Sequence, residues 1–469
     1  MRKRMVIITS YFEGETHGML GPQMAATIIR DNTSYDCIVI AVTRDDDKNL
    51  LKQALADYLQ KERPIIGFST LSGREDLFSF AKELKEEGAI TILAGPQAAL
   101  DYMGETGRED HPHRFQGLSE SFTFSLHGPA EQAVHFLNGL ETEEWNRAPG
   151  LLFIGKEGAI TSNTEMVWDE KHLKSVRWDN IFNIGKAGLR PQNITIGQVL
   201  QQIGCPHAGQ GKRVEVDYPV SVNEGKGDSV IIWLRGCSFC DVAKDKGFYG
   251  ELDIDTVMDQ IRALPEDENG RKIPFELINE NPLFGLPRLL MEAGTRRVRL
   301  SQINLILRAD WFLKGEARLR EALRTAREMG VIILASSVGF EAFDDNLLRN
   351  FNKGLNVEIN LQAVRLMRRL KEEFPREWAY STGEGAVHGF IHPTPWDTKE
   401  TFANTQKNIA VYGLASDILP AHSTPLIIHH ASALGDWIRE VERREEIRYK
   451  RYGSIIGWWH DEPEHDFLL

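Results

Sequence analysis

Residues 64–95, PIIGFSTLSGREDLFSFAKELKEEGAITILAG, carry the pattern that decides the fold. Ile65–Ser69 is a short apolar run of strand length. Leu77, Phe78, Ala81 and Leu84 then recur at helical spacing, and Gly88 closes that stretch. Ile90–Ala94 is a second apolar run. Continuous apolar strands flanking an amphipathic helix belong to a parallel sheet covered on both faces.

The same alternation extends outward in both directions. Upstream, RMVIITSYF (4–12) and YDCIVIAVT (35–43) read as strands. GPQMAATIIRD (21–31) and DKNLLKQALADYLQKE (47–62) read as helices. Downstream, PQAALDYMG starts a further helix and residues 101–122 are polar and loop-like. FTFSLHGPAEQAVHFLNGL (122–140) supplies a further strand and helix, and APGLLFIGKEGAITSN (148–163) a hairpin around Lys156-Glu157-Gly158. Together these predict a doubly wound parallel sheet over residues 1–165. Residues 166–228 read as a connector with short strands and one helix near Ile196–Ile203.

Alternation resumes at Ser229. SVIIWLRG (229–236), PFELIN (274–279), RVRLSQINLI (297–306), GVIILASSVGF (330–340), VHGFIHP (387–393) and SDILPAH (416–422) read as strands with helices between them. Six such units predict a partial (β/α) TIM-type barrel over 229–415. Residues 416–469 form an extension, with a charged helix within 434–453 and an aromatic end expected to pack.

The 469 residues include 55 Lys and Arg against 68 Asp and Glu, a formal charge of −13. That balance argues against a general nucleic-acid binder. No apolar run reaches the roughly 18–20 residues of a membrane span. The N-terminal apolar run stops at Thr9-Ser10, as a strand does and a signal peptide does not. A cytoplasmic protein without nucleic-acid or membrane partners is expected. Four cysteines, Cys37, Cys205, Cys237 and Cys240, are too few for a disulfide framework, and a cytosolic CxxC is a metal or redox site by default. Cys37 sits in an apolar strand and reads as core.

LRGCSFCDVAKDKGFYG (234–250) resembles the cluster loop of radical S-adenosylmethionine (SAM) enzymes, where a Cys-x3-Cys-x2-Cys loop follows the first barrel strand and an aromatic residue, here Phe239, precedes the last cysteine. VGFEAFDDNLLRNFNKGLNVEINLQAVRLMRRLKE (338–372) and GFIHPTPWDTKETFANTQKNI (389–409) resemble later segments of the same family. The local loop holds two cysteines where the family has three. Cys205, in IGCPHA, is the candidate third ligand, with 31 residues between it and Cys237.

The first domain resembles the cobalamin-binding domain that precedes many radical SAM enzymes. Gly67-Phe68-Ser69, Ala94-Gly95-Pro96-Gln97-Ala98 and the turn in LHGPAEQAVHFLNGL carry that resemblance. The Asp-x-His-x-x-Gly signature of a lower cobalt ligand does not occur in the sequence. The whole chain thus resembles an α/β cobalamin-dependent radical SAM enzyme, class B-like, with a Rossmann-like domain ahead of the barrel.

The resemblance implies three cofactors: a 4Fe–4S cluster on Cys205, Cys237 and Cys240, S-adenosyl-L-methionine, and cobalamin. Ser69, Thr70, Ser72, Gly95, Pro96 and Gln97 would line the cobalamin site. Phe239 would lie near adenine. Glu341 and Arg308 are the candidate catalytic residues. Asn279 and Glu280 are candidates for contact with SAM or substrate, with Gln302 and Asn304 behind them. The implied chemistry is methylation of an unactivated carbon, on a small molecule or a peptide side chain, through a 5′-deoxyadenosyl radical and methylcobalamin. A flavodoxin or ferredoxin would be the electron donor. A non-methylating rearrangement or cyclisation stays open. So does a corrinoid- or zinc-binding protein with a degenerate barrel, its zinc on Cys205, His207, Cys237 and Cys240.

Overall fold

In a computed structural model of the chain, the structure describes residues 2–59, 63–71, 73–95, 98, 118–154, 160–164, 166, 176–186, 188–223, 228–240, 248–419, 423–430, 432–452 and 455–458. The chain divides into two units. One is Met1–Gly197 with Ala263–Pro265 and Arg451–Ile455. The other is Gln198–Arg262 with Glu266–Lys450 and Ile456–Leu469.

The first unit is built on a nine-stranded sheet. Its elements run β1 (Lys3–Ser10), α1 (Leu20–Asn32), β2 (Tyr35–Val42), α2 (Lys48–Tyr58), β3 (Ile65–Ser69), α3 (Glu75–Glu86), β4 (Ile90–Ala94), β5 (Phe124–Leu126), α4 (Gln132–Thr142), β6 (Leu151–Ile154), β7 (Ile160–Ser162), β8 (Ile181–Gly185) and β9 (Gly188–Pro191). The strand order is β7-β6-β5-β4-β3-β1-β2-β8-β9. Pairing is parallel from β5 through β4, β3, β1 and β2 to β8, and antiparallel in the flanking hairpins β5-β6-β7 and β8-β9. Val6, Ile8, Ile40, Phe68 and Leu93 from the strands pack with Leu51, Leu55, Leu77 and Phe80 from the helices. Asp47 starts α2 by accepting from the Asn49 N–H, which satisfies one of the helix's unpaired first-turn donors. Cys37 is buried in β2, and desolvation pushes its thiol pKa far up, so it is core as expected.

The strands of β2-β1-β3-β4-β5 are all parallel, and the order in which the chain adds them switches sides between β1 and β3. Crevices at such switch points, outside the carboxyl ends of the strands, are where open parallel sheets bind ligands. The sheet also extends past the expected boundary at 165, because β8 and β9 join it and carry the first unit to Gly197.

The second unit opens with β10 (Gly197–Leu200) and β11 (Gln202–Gly204), followed by β12 (Gly211–Asp217), β13 (Ser229–Arg235) and β14 (Phe248–Glu251). Next come α5 (Ile254–Ala263), β15 (Phe275–Ile278), α6 (Leu286–Thr295), β16 (Gln302–Arg308), α7 (Glu316–Met329), β17 (Ile332–Gly339), α8 (Asp345–Asn350), α9 (Val357–Glu373) and β18 (Trp378–Ala379). Then follow α10 (Lys399–Tyr412) and α11 (Ala433–Glu445). The central sheet has the order β10-β15-β16-β17-β18, and β15 through β18 pair in parallel. Parallel bridges continue that edge, from Glu341 to Phe390 and from Ile391 to Thr424. VHGFIHP (387–393) therefore meets the chain just past β17 through isolated bridges and does not form the strand expected of it.

Two expectations are corrected here. The helix expected near Ile196–Ile203 is the strand pair β10 and β11. A side chain at Gly197 would strike Leu264 at 2.3 Å, and Gln201 donates its N–H to the Ile278 carbonyl beside β15. The first strand in chain order of the central sheet is therefore β10 and not 229–236. Residues 229–235 pair antiparallel with 211–217, in register from Ser229 against Asp217 to Arg235 against Gly211. SVIIWLR looks like a strand buried on both faces, yet only Val230, Ile232 and Leu234 are buried. α11 packs on that inner face with its own buried Trp437, Ile438 and Val441, so the charged C-terminal helix is amphipathic rather than fully solvated. Trp458 is buried and donates to the Leu426 carbonyl at 2.8 Å, so this first residue of the aromatic end packs as expected; the rest lies outside the described residues. No helix among the described residues is long and apolar enough to cross a membrane.

Candidate functional site

Cys205 lies five residues beyond Leu200, the end of the opening strand β10 of the central sheet, and directly follows β11. The β12-β13 hairpin is an insertion between it and the CSFC turn. At the far end of the hairpin the chain returns to Cys237, and the Cys240 N–H donates to the Cys237 carbonyl at 3.2 Å.

One segment, Asn350-Phe351-Asn352-Lys353-Gly354, fastens both cysteine loops to the sheet. The Asn352 amide donates to the Gly236 carbonyl at 2.6 Å, and the Asn352 carbonyl lies 3.1 Å from His207 Nε2. Ser238 donates its N–H to the Phe351 carbonyl at 2.9 Å and its hydroxyl to the Asn350 carbonyl at 2.8 Å. Gly354 approaches the His207 ring so closely that a side chain there would touch it at 3.6 Å. Asn352 has φ +47°, a left-handed conformation that asparagine tolerates better than most residues.

The same segment reaches the ends of β16 and β17. Arg308, the last residue of β16, donates to the Lys353 carbonyl at 2.5 Å, to Asp310 at 3.2 Å and to the Cys237 Sγ at 3.5 Å. Its guanidinium also lies 4.9 Å from the Trp311 ring. Lys353 is buried and pairs with Glu341 at 2.7 Å, just beyond the end of β17. Gly339 makes room for that pair, since a Cβ there would stand 2.8 Å from Glu341 Oε1 and 2.9 Å from Lys353 Nζ. Glu341 itself holds φ +62°, an uncommon conformation for a residue with a side chain and one found at functional sites.

These charges act on the thiols. Burial pushes the Cys237 thiol up, while Lys353 and Arg308 pull it down. Burial likewise raises Cys205; the backbone N–H of His207 opposes this, and Glu280 and Cys237 add to it. Desolvation works against the Lys353 ammonium, but Glu341 and Cys237 outweigh it and its pKa is raised. Desolvation raises the Glu280 pKa against the pull of Lys353 and Arg308, although part of the residue is open to solvent.

The expected site residues fall into place unevenly. Cys205, Cys237, Glu280, Arg308 and Glu341 share one neighbourhood at the carboxyl ends of the strands. Asn279 is buried nearby, donating to Gln201 Oε1 at 2.9 Å. Phe239 packs edge-on against Phe351 with ring centroids 5.4 Å apart. Gln302 lies at the opposite end of β16 from Arg308, and its amide is 2.7 Å from Asn304, so that pair sits away from the strand ends. Asn352 and Lys353 are the residues that sequence reading passed over. Their signal is a lysine and two asparagines inside the otherwise apolar LLRNFNKGL.

Three half-buried thiols suit an iron–sulfur cluster, whose ligands bind separate irons and need not converge on one point. Among the described residues no three His, Cys, Asp or Glu side chains converge as ligands of one ion do. His207 Nε2 is already engaged by the Asn352 carbonyl.

In the first unit the switch-point crevice is bounded by Ser10, Ser69 and Thr70. Thr9 donates to the Ser69 carbonyl at 3.0 Å, and the Leu71 N–H donates to Ser10 Oγ at 3.0 Å. Thr70 is buried, and its hydroxyl has no hydrogen-bond partner among the described residues. Gly95 holds φ +75°, and a Cβ there would lie 2.5 Å from Ser69 Oγ. A small-residue rim with a spare buried hydroxyl fits a large ligand approaching the backbone, as cobalamin would. Ser72, Pro96 and Gln97 lie outside the described residues.

No family model matches the chain. It is 26% identical over 208 residues to the bacteriochlorophyllide d C-12(1)-methyltransferase of Chlorobaculum tepidum, spanning 44% of this chain and 42% of that protein. Its fold matches the cobalamin-dependent S-adenosylmethionine radical enzyme OxsB, solved with aqua-cobalamin and S-adenosylmethionine bound. The TM-score is 0.60 at 12% identity, over 96% of this chain and 64% of that one. Apo OxsB matches with a TM-score of 0.55, also at 12% identity, over 97% of this chain and 64% of that one. The chain therefore spans less than two thirds of each of these proteins. It is a mixed α/β chain with parallel sheets in the OxsB fold, and a distant sequence relative is a methyltransferase.

Proposed function

We propose that this chain is a cobalamin-dependent radical SAM enzyme that methylates an unactivated carbon of a small metabolite or a peptide side chain. In this reading the first unit is a Rossmann-like cobalamin domain and the second a partial barrel. The observation that carries it is that the Cys205 loop, just past the opening strand β10 of the central sheet, and the CSFC loop are both fastened to Asn352.

Cys205, Cys237 and Cys240 would hold the cluster, and the rim of Ser69, Thr70 and Gly95 would hold cobalamin. When bound, the cluster supplies the electron that cleaves SAM reductively, and methylcobalamin supplies the methyl group. The chain's own part is electrostatic and geometric. Arg308 and Lys353 place two buried cations beside Cys237, which favours the thiolate and any added negative charge there. Glu341 fixes Lys353, and Asn279 fixes Gln201 at the end of β10. Glu280 remains open to solvent among these groups and is available to a charged ligand. The likeness to a methyltransferase favours methylation over rearrangement.

The test is turnover of anaerobically reconstituted protein with SAM, methylcobalamin and a low-potential reductant. The reading expects 5′-deoxyadenosine and methionine, with S-adenosylhomocysteine from remethylation of cobalamin. Intact SAM after full reduction of a cluster-loaded protein would overturn it.

A further inference from the structure

Beyond the site itself, the hairpin inserted between Cys205 and Cys237 carries a second feature. Its inner face is buried by Val216, Val230, Ile232 and Leu234. Its outer face would ordinarily be polar, yet Ile231 is 67% and Trp233 58% exposed. Trp233 is held in place from beside and beneath. A Cβ at Gly211 would lie 1.9 Å from its ring, so only glycine lets the indole lie across that strand, and the Arg235 guanidinium stands 5.5 Å from the ring centre. A solvent-facing tryptophan flanked by arginine is the composition of an interface anchor.

The charge around it is local and opposite to that of the chain. Lys212, Arg213 and Arg235 are all exposed, and all lie at the end of the hairpin nearest Cys237. Arg213 stands opposite Trp233 in register. Of the hairpin's acidic residues, Glu215 stands opposite Ile231 in register and is bound by Ser229, and Asp217 at the far end is bound by Arg349 and Asn350. A basic, aromatic patch on a chain of net charge −13 selects an acidic partner. Only Gly236 separates Arg235 from Cys237. Four residues from Trp233 to Cys237 span at most about 14 Å of chain.

We propose that the outer face of this hairpin, centred on Trp233 with Ile231, Arg213 and Arg235, docks an acidic one-electron donor protein that reduces the cluster. The proposal rests on the radical SAM reading above and adds the surface through which the electron enters. The donor is oxidised by one electron and the cluster is reduced by one; no atoms are exchanged.

The test uses the reconstituted full chain with an acidic flavodoxin as probe, beside Arg213→Glu and Trp233→Ala. Arg213→Glu changes only an exposed charge and guards against misfolding of the tryptophan variant. Affinity for oxidised flavodoxin is read by titration calorimetry, and cluster bleaching by reduced flavodoxin or by titanium(III) citrate. The proposal expects each variant to bind flavodoxin at least tenfold more weakly and to be bleached correspondingly slowly. It expects iron content and bleaching by titanium(III) citrate to stay at wild-type levels. Unchanged affinity in both variants, or no binding by the wild type, would overturn it. So would self-association of the wild type that the variants lose while flavodoxin affinity holds, since a second copy of the chain would then occupy the face. A wild-type protein that gains no iron would instead remove the radical SAM reading.

Discussion

The Asn352 side chain donates to the Gly236 carbonyl at 2.6 Å, while the Asn352 carbonyl lies 3.1 Å from His207 Nε2. One residue thereby sets the loop of Cys205 against the loop of Cys237, although 31 residues lie between the two cysteines. The hairpin insertion is tolerated because it leaves and re-enters the sheet at this shared anchor.

Asn352→Gly should separate anchoring from backbone conformation. Glycine keeps the left-handed backbone but loses the amide, leaving the buried Gly236 carbonyl unpaired at a cost of about 1–3 kcal/mol. Iron bound per chain should fall well below wild type while urea unfolding shifts only by that amount. Iron binding equal to wild type would show that the loops hold each other without Asn352.

Arg308→Gln should make the cluster harder to reduce. The wild-type guanidinium supplies an N–H at 3.5 Å from Cys237 Sγ and a buried positive charge, both of which stabilise the reduced form. Redox titration followed by electron paramagnetic resonance should give a more negative midpoint potential than wild type. An unchanged potential would show that this contact does not tune the cluster.

Thr70→Val tests the crevice of the first unit. Its buried hydroxyl is unpaired among the described residues, so an isosteric apolar side chain should leave the apo protein as stable or slightly more so. Affinity for hydroxocobalamin, followed by absorbance, should drop several-fold. Loss of stability with unchanged affinity would mean the hydroxyl serves the fold.

His388 gives a pH dependence away from the cysteines. Its Nδ1 accepts from the Val338 N–H at 2.9 Å, and its Nε2 faces the Tyr380 carbonyl at 2.7 Å, which fixes the neutral ring. Burial lowers its pKa below 6.5 in the folded chain. The unfolded chain therefore takes up the proton first. His388 should contribute its full stability above about pH 6.5 and lose it progressively as pH falls below that value. Urea unfolding at pH 7.5 and pH 5.5 should show a smaller loss for His388→Gln than for wild type.

Much of this was legible in the sequence, for physical reasons that differ along the chain. The strands from Ile65 to Ala94 declare themselves because a parallel sheet buries both faces and demands unbroken apolar runs. Cys205, Cys237 and Cys240 could be picked out because cysteine is rare here. The same rule misled at SVIIWLR, where an exposed Ile231 and Trp233 gave a hairpin the look of a buried strand. β10 went unseen because NITIGQVLQQIG has a short apolar pattern that a helix turn also satisfies. Asn352 and Lys353 could not be assigned from spacing, since their work depends on contacts across the fold with Gly236, His207 and Glu341.

The most direct test of the account is the iron and sulfide content of anaerobically reconstituted protein, wild type beside Cys205→Ala. The account predicts about four irons and four sulfides per wild-type chain and loss of the cluster in the variant. A full cluster in Cys205→Ala, or none in the wild type, would contradict it.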